Sequence, residues 1–270
     1  MHIHFLDPYQ PGPSLIHRLD ARVKLTLIIA FILTTSLTPM GAWAIYLILL
    51  AILVSAELLS ELGIRFYVKR AVLALPFVLA AFPLLFTIAG QPLWEFRVGA
   101  WVFQASVEGG VRFLSIAIKS WISVQAAVLL AVTTPFPDLL LAMRALRLPR
   151  MLVAIFGLMW RYIFVLADEA LRLMRARSAR SSLSLDRPQR AGRSVSWRAK
   201  VTGGMAGSLF LRAFERADRI YVAMLSRGYD GEVRSLPLPP FQRRHWISIF
   251  VGISLFVFLL LLAYLLSGLR

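Results

Sequence analysis

The chain has no cysteine, which excludes disulfides, thiolate metal sites and cysteine nucleophiles. Acidic residues are few: 14 Asp and Glu stand against 30 Lys and Arg, for a formal net charge of +16. Histidine is scarce, at four residues. No H-E-x-x-H, G-x-S-x-G or clustered histidine set occurs, so neither an enzyme nor a cofactor or metal site is expected. His2 and His4 could join the α-amine around a metal, but histidines this near a chain end are more often incidental. A G-x-x-x-x-G-K-[ST] loop is also missing, so no ATP is expected to bind through a Walker motif. Gly203-Gly204-Met205-Ala206-Gly207 is a glycine cluster without the lysine, and suits close helix packing. The adjacent acids Asp168 and Glu169 point apart on a helix, and Asp168 is expected to pair with Arg172 four residues on. Met1–Asp20 is polar and holds no short apolar stretch with a cleavage site, so no cleaved leader is expected.

Apolar sequence is in excess. Hydrophobic residues make up 59% of the chain and the mean hydropathy is +0.71, which places it among membrane proteins. The positive charge does not point to nucleic acid. Between Thr133 and Trp246, 20 Lys and Arg face 8 Asp and Glu, so +12 of the +16 lies in one block. Five stretches approach the ~20 residues that cross a ~30 Å hydrocarbon core: Val23–Leu37, Trp43–Leu59, Ala71–Ala89, Val111–Val132 and Trp246–Leu266. Asp20 is placed to cap the first. Pro76 and Pro83 predict a kink in the third. Lys119, inside the fourth, is a functional candidate by position; the competing reading is a lysine facing protein or snorkelling.

Loop charges orient the spans. Thr38–Ala42 has no charge, Glu61–Arg70 carries Arg65, Lys69 and Arg70, and Gln91–Gly110 carries Arg97 against Glu95 and Glu108. Alternation puts the amino terminus and the basic block inside and the carboxyl terminus outside. The expected fold is therefore an all-α integral membrane protein of about five spans. Its organisation is a membrane part over 1–132, a cytoplasmic region with long amphipathic helices over 133–245, and a last span over 246–270.

Within the basic block, Asp138 is placed to cap a short helix over Leu139–Leu146. Leu152, Ile155, Met159, Tyr162, Leu166, Ala170 and Leu173 keep helical spacing in a helix from about Arg150 to Arg180. Its first part is apolar, but Arg161 argues against a full span. Arg187–Lys200 reads as a loop. Phe210, Phe214, Ala217, Tyr221 and Met224 mark a second amphipathic helix, and Gly228 follows where a left-handed cap would end it. Each helix ends in a small-Arg-small tip: Ala179-Arg180-Ser181 and Ser226-Arg227-Gly228. Small neighbours let another backbone approach, and a guanidinium fork suits a carboxylate there. The competing reading is a pair of solvated basic ends.

Several motifs resemble a known family in order along the chain. They are His17-Arg18-Leu19-Asp20-Ala21-Arg22-Val23-Lys24-Leu25, Thr133-Thr134-Pro135-Phe136-Pro137-Asp138-Leu139-Leu140, Arg147-Leu148-Pro149, Trp160-Arg161-Tyr162-Ile163 and Arg216-Ala217-Asp218-Arg219-Ile220-Tyr221. Together with the two tips they resemble the transmembrane T components of energy-coupling factor (ECF) ABC transporters. Phe5-Leu6-Asp7 makes the chain most similar to the CbiQ type of cobalt and nickel uptake. The resemblance implies a scaffold in a bacterial or archaeal cytoplasmic membrane. It would hold a membrane substrate-binding S component similar to CbiM and engage two cytoplasmic ABC ATPases, one at each tip. Both tips depart from the family's Ala-Arg-Gly, with Ser181 in place of glycine and Ser226 in place of alanine. A vitamin transporter's T component, a scaffold or assembly factor of another system, and an intramembrane enzyme using Lys119 are the alternatives.

Overall fold

The computed structural model describes residues 8–72, 75–88, 92–98, 101–180, 195–231 and 240–268. The protein is an all-α membrane protein interrupted by one hairpin. In chain order the elements are α1 (Leu15–Arg18), α2 (Ala21–Leu37), α3 (Trp43–Leu59), α4 (Ile64–Ala71), α5 (Leu75–Ala80) and α6 (Leu84–Thr87). Then come β1 (Pro92–Val98), β2 (Trp101–Ser106), α7 (Val107–Thr133), α8 (Phe136–Ala145), α9 (Arg150–Arg180), α10 (Val195–Leu225) and α11 (Arg243–Gly268). Among the described residues α7, α9 and α11 are long and apolar enough to cross a bilayer, and α3 is a shorter apolar helix.

Several boundaries differ from the sequence expectation. The third apolar stretch is not one helix. Its chain turns at residues 81–83 and resumes as α6 behind Pro83, which has no N–H to continue the ladder. The expected loop Gln91–Gly110 contains an antiparallel hairpin, with Glu95 opposite Gln104 and Phe96 opposite Phe103. α7 starts at Val107 rather than Val111, because the Ser106 hydroxyl caps it by accepting from Gly109 N–H at 3.0 Å. α8 starts at Phe136, so Asp138 lies in its first turn instead of capping it. α10 begins within the expected loop, at Val195. α9 is apolar enough to span despite Arg161.

The chain divides into two compact units, residues 9–142 with 238–270, and residues 143–237 with 1–8. In the first, Phe31, Leu49, Leu53, Ile122, Leu129 and Phe256 belong to one buried apolar cluster. α2 and α11 run in the same direction: Leu27 fills the space over Gly252, Phe31 meets Phe256 edge-on at 5.7 Å, and the Tyr264 hydroxyl donates to Leu37 O at 3.2 Å. Asp20 caps α2 as expected, accepting from Arg22 N–H at 2.8 Å. Gly109 sits against backbone. A Cβ there would lie 2.8 Å from Leu85 O and 2.9 Å from Leu84 O, neither of which can rotate away. Gly109→Val is therefore expected to cost ~1–3 kcal/mol through overpacking, seen as a lower melting temperature in detergent. An unchanged melting temperature would remove this contact from the account.

In the second unit, α9 and α10 lie against each other. Glu169 of α9 accepts from Arg216 at 3.0 Å and lies 3.5 Å from Arg212. Arg177 donates to the Thr202 hydroxyl at 3.2 Å and stands 5.9 Å over the Trp197 ring. Later residues of α9 thus meet earlier residues of α10, which makes the pair antiparallel. Asp168 pairs with Arg172 at 2.8 Å, the expected one-turn contact.

Candidate coupling surface

The two tips stand at opposite ends of this helix pair. Arg180 is the last residue of α9 and is exposed. The turn before it is tightened by Ser178 Oγ, which donates to Arg175 O at 2.8 Å. Ser181 lies outside the described residues. From Thr202, beside Arg177, to Leu225 the helix α10 covers ~35 Å at ~1.5 Å per residue, which separates Arg227 from Arg180 by about that length.

Arg227 is held by a helix-ending motif rather than by side-chain contacts. Tyr229 N–H donates to Met224 O and Gly228 N–H to Leu225 O, both at 3.0 Å. These are the paired bonds of a Schellman cap, with Gly228 in the left-handed region at φ +78°. Arg227 is the capping residue of that motif, and Ser226 Oγ turns back onto Ala223 O at 3.0 Å. Ser226, Arg227 and Gly228 are all exposed, and no described atom lies within 4 Å of a Cβ built on Gly228. Among the described residues no carboxylate pairs with Arg180 or Arg227. Both tips are exposed cations at helix ends, and the second is closed by a Schellman cap.

α8 ends with the same bonds, Leu148 N–H to Met143 O and Arg147 N–H to Arg144 O, but Arg147 occupies the left-handed position at φ 63°. A side chain there costs ~1–3 kcal/mol relative to a regular conformation, so this turn is held against a backbone preference.

The apolar faces of α9 and α10 are uncovered. Phe210, Phe214 and Tyr221 are 69%, 59% and 53% exposed, and Ala154 is the only buried residue of the two helices. The glycine cluster of α10 is open among the described residues: built Cβ atoms on Gly203, Gly204 and Gly207 meet no described atom within 4 Å. The expected close packing is therefore not made by any described residue.

Lys119 has a structural place. Its ammonium donates to the carbonyls of Thr38 and, at 3.1 Å, Ser36, closing the carboxyl end of α2. Lys24, near the start of α2, donates to Thr133 O at 2.8 Å and closes the end of α7. Gln10 N–H closes the neighbouring carbonyl, Val132 O, at 3.0 Å. The antiparallel helices α2 and α7 thus cap each other with one lysine apiece, where a helix end carries unpaired carbonyls and partial negative charge. At the end of α3 the Tyr67 hydroxyl donates to Ser60 Oγ, which donates to Glu57 O, each at 2.6 Å. The Glu57 carboxyl is fully buried and has no hydrogen-bond partner among the described residues. Sequence reasoning singled out neither Lys24 nor Glu57. A cation one turn inside an apolar run and an acid near the end of another were the available signals. Among the described residues no group of three or more His, Cys, Asp or Glu is placed to hold a metal ion.

The chain belongs to the CbiQ family of cobalt transport proteins, which it matches over residues 12–237. It is 28% identical to the energy-coupling factor transporter transmembrane protein EcfT of Lactococcus lactis, over 83% of this chain and 83% of that protein. It is 28% identical to the cobalt transport protein CbiQ of Rhodobacter capsulatus, over 72% of each. A similarity of 28% identity extends to a protein of Methanocorpusculum labreanum described as a fused cobalt transport protein CbiMQ, over 84% of this chain and 37% of that longer protein.

Proposed function

We propose that this chain is the scaffold and coupling subunit, the T component, of an ECF-type ABC importer. The observation that carries the reading is the pair of exposed arginines at opposite ends of two basic antiparallel helices. Each tip docks in a groove of one cytoplasmic ATPase, with Arg180 and Arg227 facing carboxylates. The uncovered apolar faces of α9 and α10 and the open glycine face of α10 suit a membrane S component, and the name of the CbiMQ relative favours one similar to CbiM. The family favours cobalt, or nickel, as cargo. The EcfT relative is as close in identity as the CbiQ relative, which favours a second reading with a different substrate, such as a vitamin. Co-purification on a tag at this chain should recover two ATPase subunits and a small membrane protein. Recovery of the chain without ATPase would overturn the reading, and uptake of labelled cobalt through the recovered complex separates the two substrates.

The proposed membrane is the cytoplasmic membrane of a bacterium or archaeon, with the amino terminus inside, the carboxyl terminus outside, and α9, although apolar enough to cross, kept on the inner side with both tips. Loop charge supports this, and so do the helix directions: α2 and α11 are parallel while α7 opposes α2, as first, last and fourth spans should be. Reporters at Gly41, Ser194 and Arg270 are expected to read outside, inside and outside. A carboxyl-terminal reporter active only in the cytoplasm would contradict the five-span arrangement.

A further inference from the structure

α9 and α10 carry charge of the same sign. α9 has six arginines against Asp168 and Glu169, and α10 has four arginines and Lys200 against Glu215 and Asp218. Helices this basic repel along their length, and with Ala154 as their only buried residue, apolar burial does not fix where they cross. Glu169 makes the described ion pairs between them. Arg212 and Arg216 are one turn apart on α10 and so share a face, and each reaches a different oxygen of the Glu169 carboxylate, Oε1 and Oε2 respectively. The Glu169 side chain is 14% exposed, against 41% for Asp168, whose described ion pair stays within α9. Among the described residues no other acid bridges the two helices. Toward the far end Arg177 reaches Thr202 and the Trp197 ring, neither of them an acid.

We propose that Glu169 is a positioning residue that sets how α9 crosses α10, and through that crossing the separation at which Arg180 and Arg227 are presented. The inference rests on the coupling reading of those tips. Without the carboxylate, two guanidiniums face a basic helix across the crossing, and the angle between the helices is no longer held. Arg180 and Arg227 each lie ~16 Å of helix beyond this bridge, so a change of ~10° at the crossing moves a tip by ~3 Å.

The absence of cysteine makes the test direct. Spin labels at Met174→Cys on α9 and Val222→Cys on α10, both exposed and outside the tips, report the crossing in the full chain in nanodiscs. The parent is expected to give one narrow distance distribution. Glu169→Gln is expected to broaden it and to lower co-purified ATPase by roughly fivefold or more. The charge swap Glu169→Arg with Arg216→Glu should restore both, which separates loss of the bridge from loss of the fold. An unchanged distribution in Glu169→Gln overturns the proposal. A broadened distribution with full ATPase retention overturns its second half, and if Arg227→Ala also retains ATPase, the coupling reading itself has failed while the bridge stands.

Discussion

Arg227→Ala is expected to weaken ATPase association by ~2–5 kcal/mol, the usual cost of truncating one partner of a charge pair that is buried in a complex. That is a loss of roughly thirtyfold or more, and most transport should go with it. Insertion and folding should survive, because the tip is exposed and its turn is closed by backbone bonds that a change of side chain does not touch. Arg227→Lys should recover only part of the loss, since an ammonium cannot reproduce the planar fork. Arg180→Ala should behave alike, and the double variant should release both ATPases. Gly228→Ala gives a separate view of the same tip. A Cβ there meets no described atom, so its cost is that of the left-handed backbone, ~1–2 kcal/mol, and it should act by redirecting Arg227 rather than by removing charge. Arg190→Ala and Arg193→Ala, which lie outside the described residues, are controls expected from the polar sequence around them to cost little. Detergent pull-down beside an uptake assay measures all of these. Variants that bind ATPases as the controls do would make the tips ordinary helix ends.

Lys119→Met is expected to damage the fold rather than a reaction. It leaves the Ser36 and Thr38 carbonyls without their donor in a buried setting, and each buried unsatisfied group costs ~1–3 kcal/mol. At ~2–4 °C per kcal/mol for a chain of this size, the melting temperature should fall by roughly 5–20 °C. Lys24→Met should be milder, because only Thr133 O loses its donor and Gln10 still holds Val132 O. The double variant should lose both ends of the α2–α7 clamp. Thermal shift monitored by fluorescence-detected size exclusion is the measurement. A Lys119→Met protein that melts like the parent yet transports nothing would return this lysine to the list of functional groups.

Local chemistry was legible in the sequence and distant pairing was not. Asp20 as a cap, Asp168 with Arg172, and Gly228 as a left-handed terminus each depend on neighbours within four residues, and all three occur. Lys119 was visible as an oddity, but its partners lie 81 and 83 residues away, and no local pattern names them. The same holds for Glu169 and Arg216, 47 residues apart. The hairpin did leave a signal. Trp94, Glu95, Phe96, Arg97 and Val98 alternate apolar and charged with the period of a strand, but five residues of alternation between two apolar spans fit an external loop of balanced charge equally well. The stripe from Phe210 to Met224 has helical period as expected, but period alone does not say whether the covering partner belongs to the same chain.

The central claim is that each tip meets one ATPase, and cross-linking tests it most directly. Because the chain is free of cysteine, Ala179→Cys and Ser226→Cys each introduce a single thiol beside one arginine. In membranes holding the whole complex, each single variant is expected to cross-link one ATPase subunit, and the double variant two. Cross-links from neither thiol to any ATPase, with the complex intact, would contradict the account.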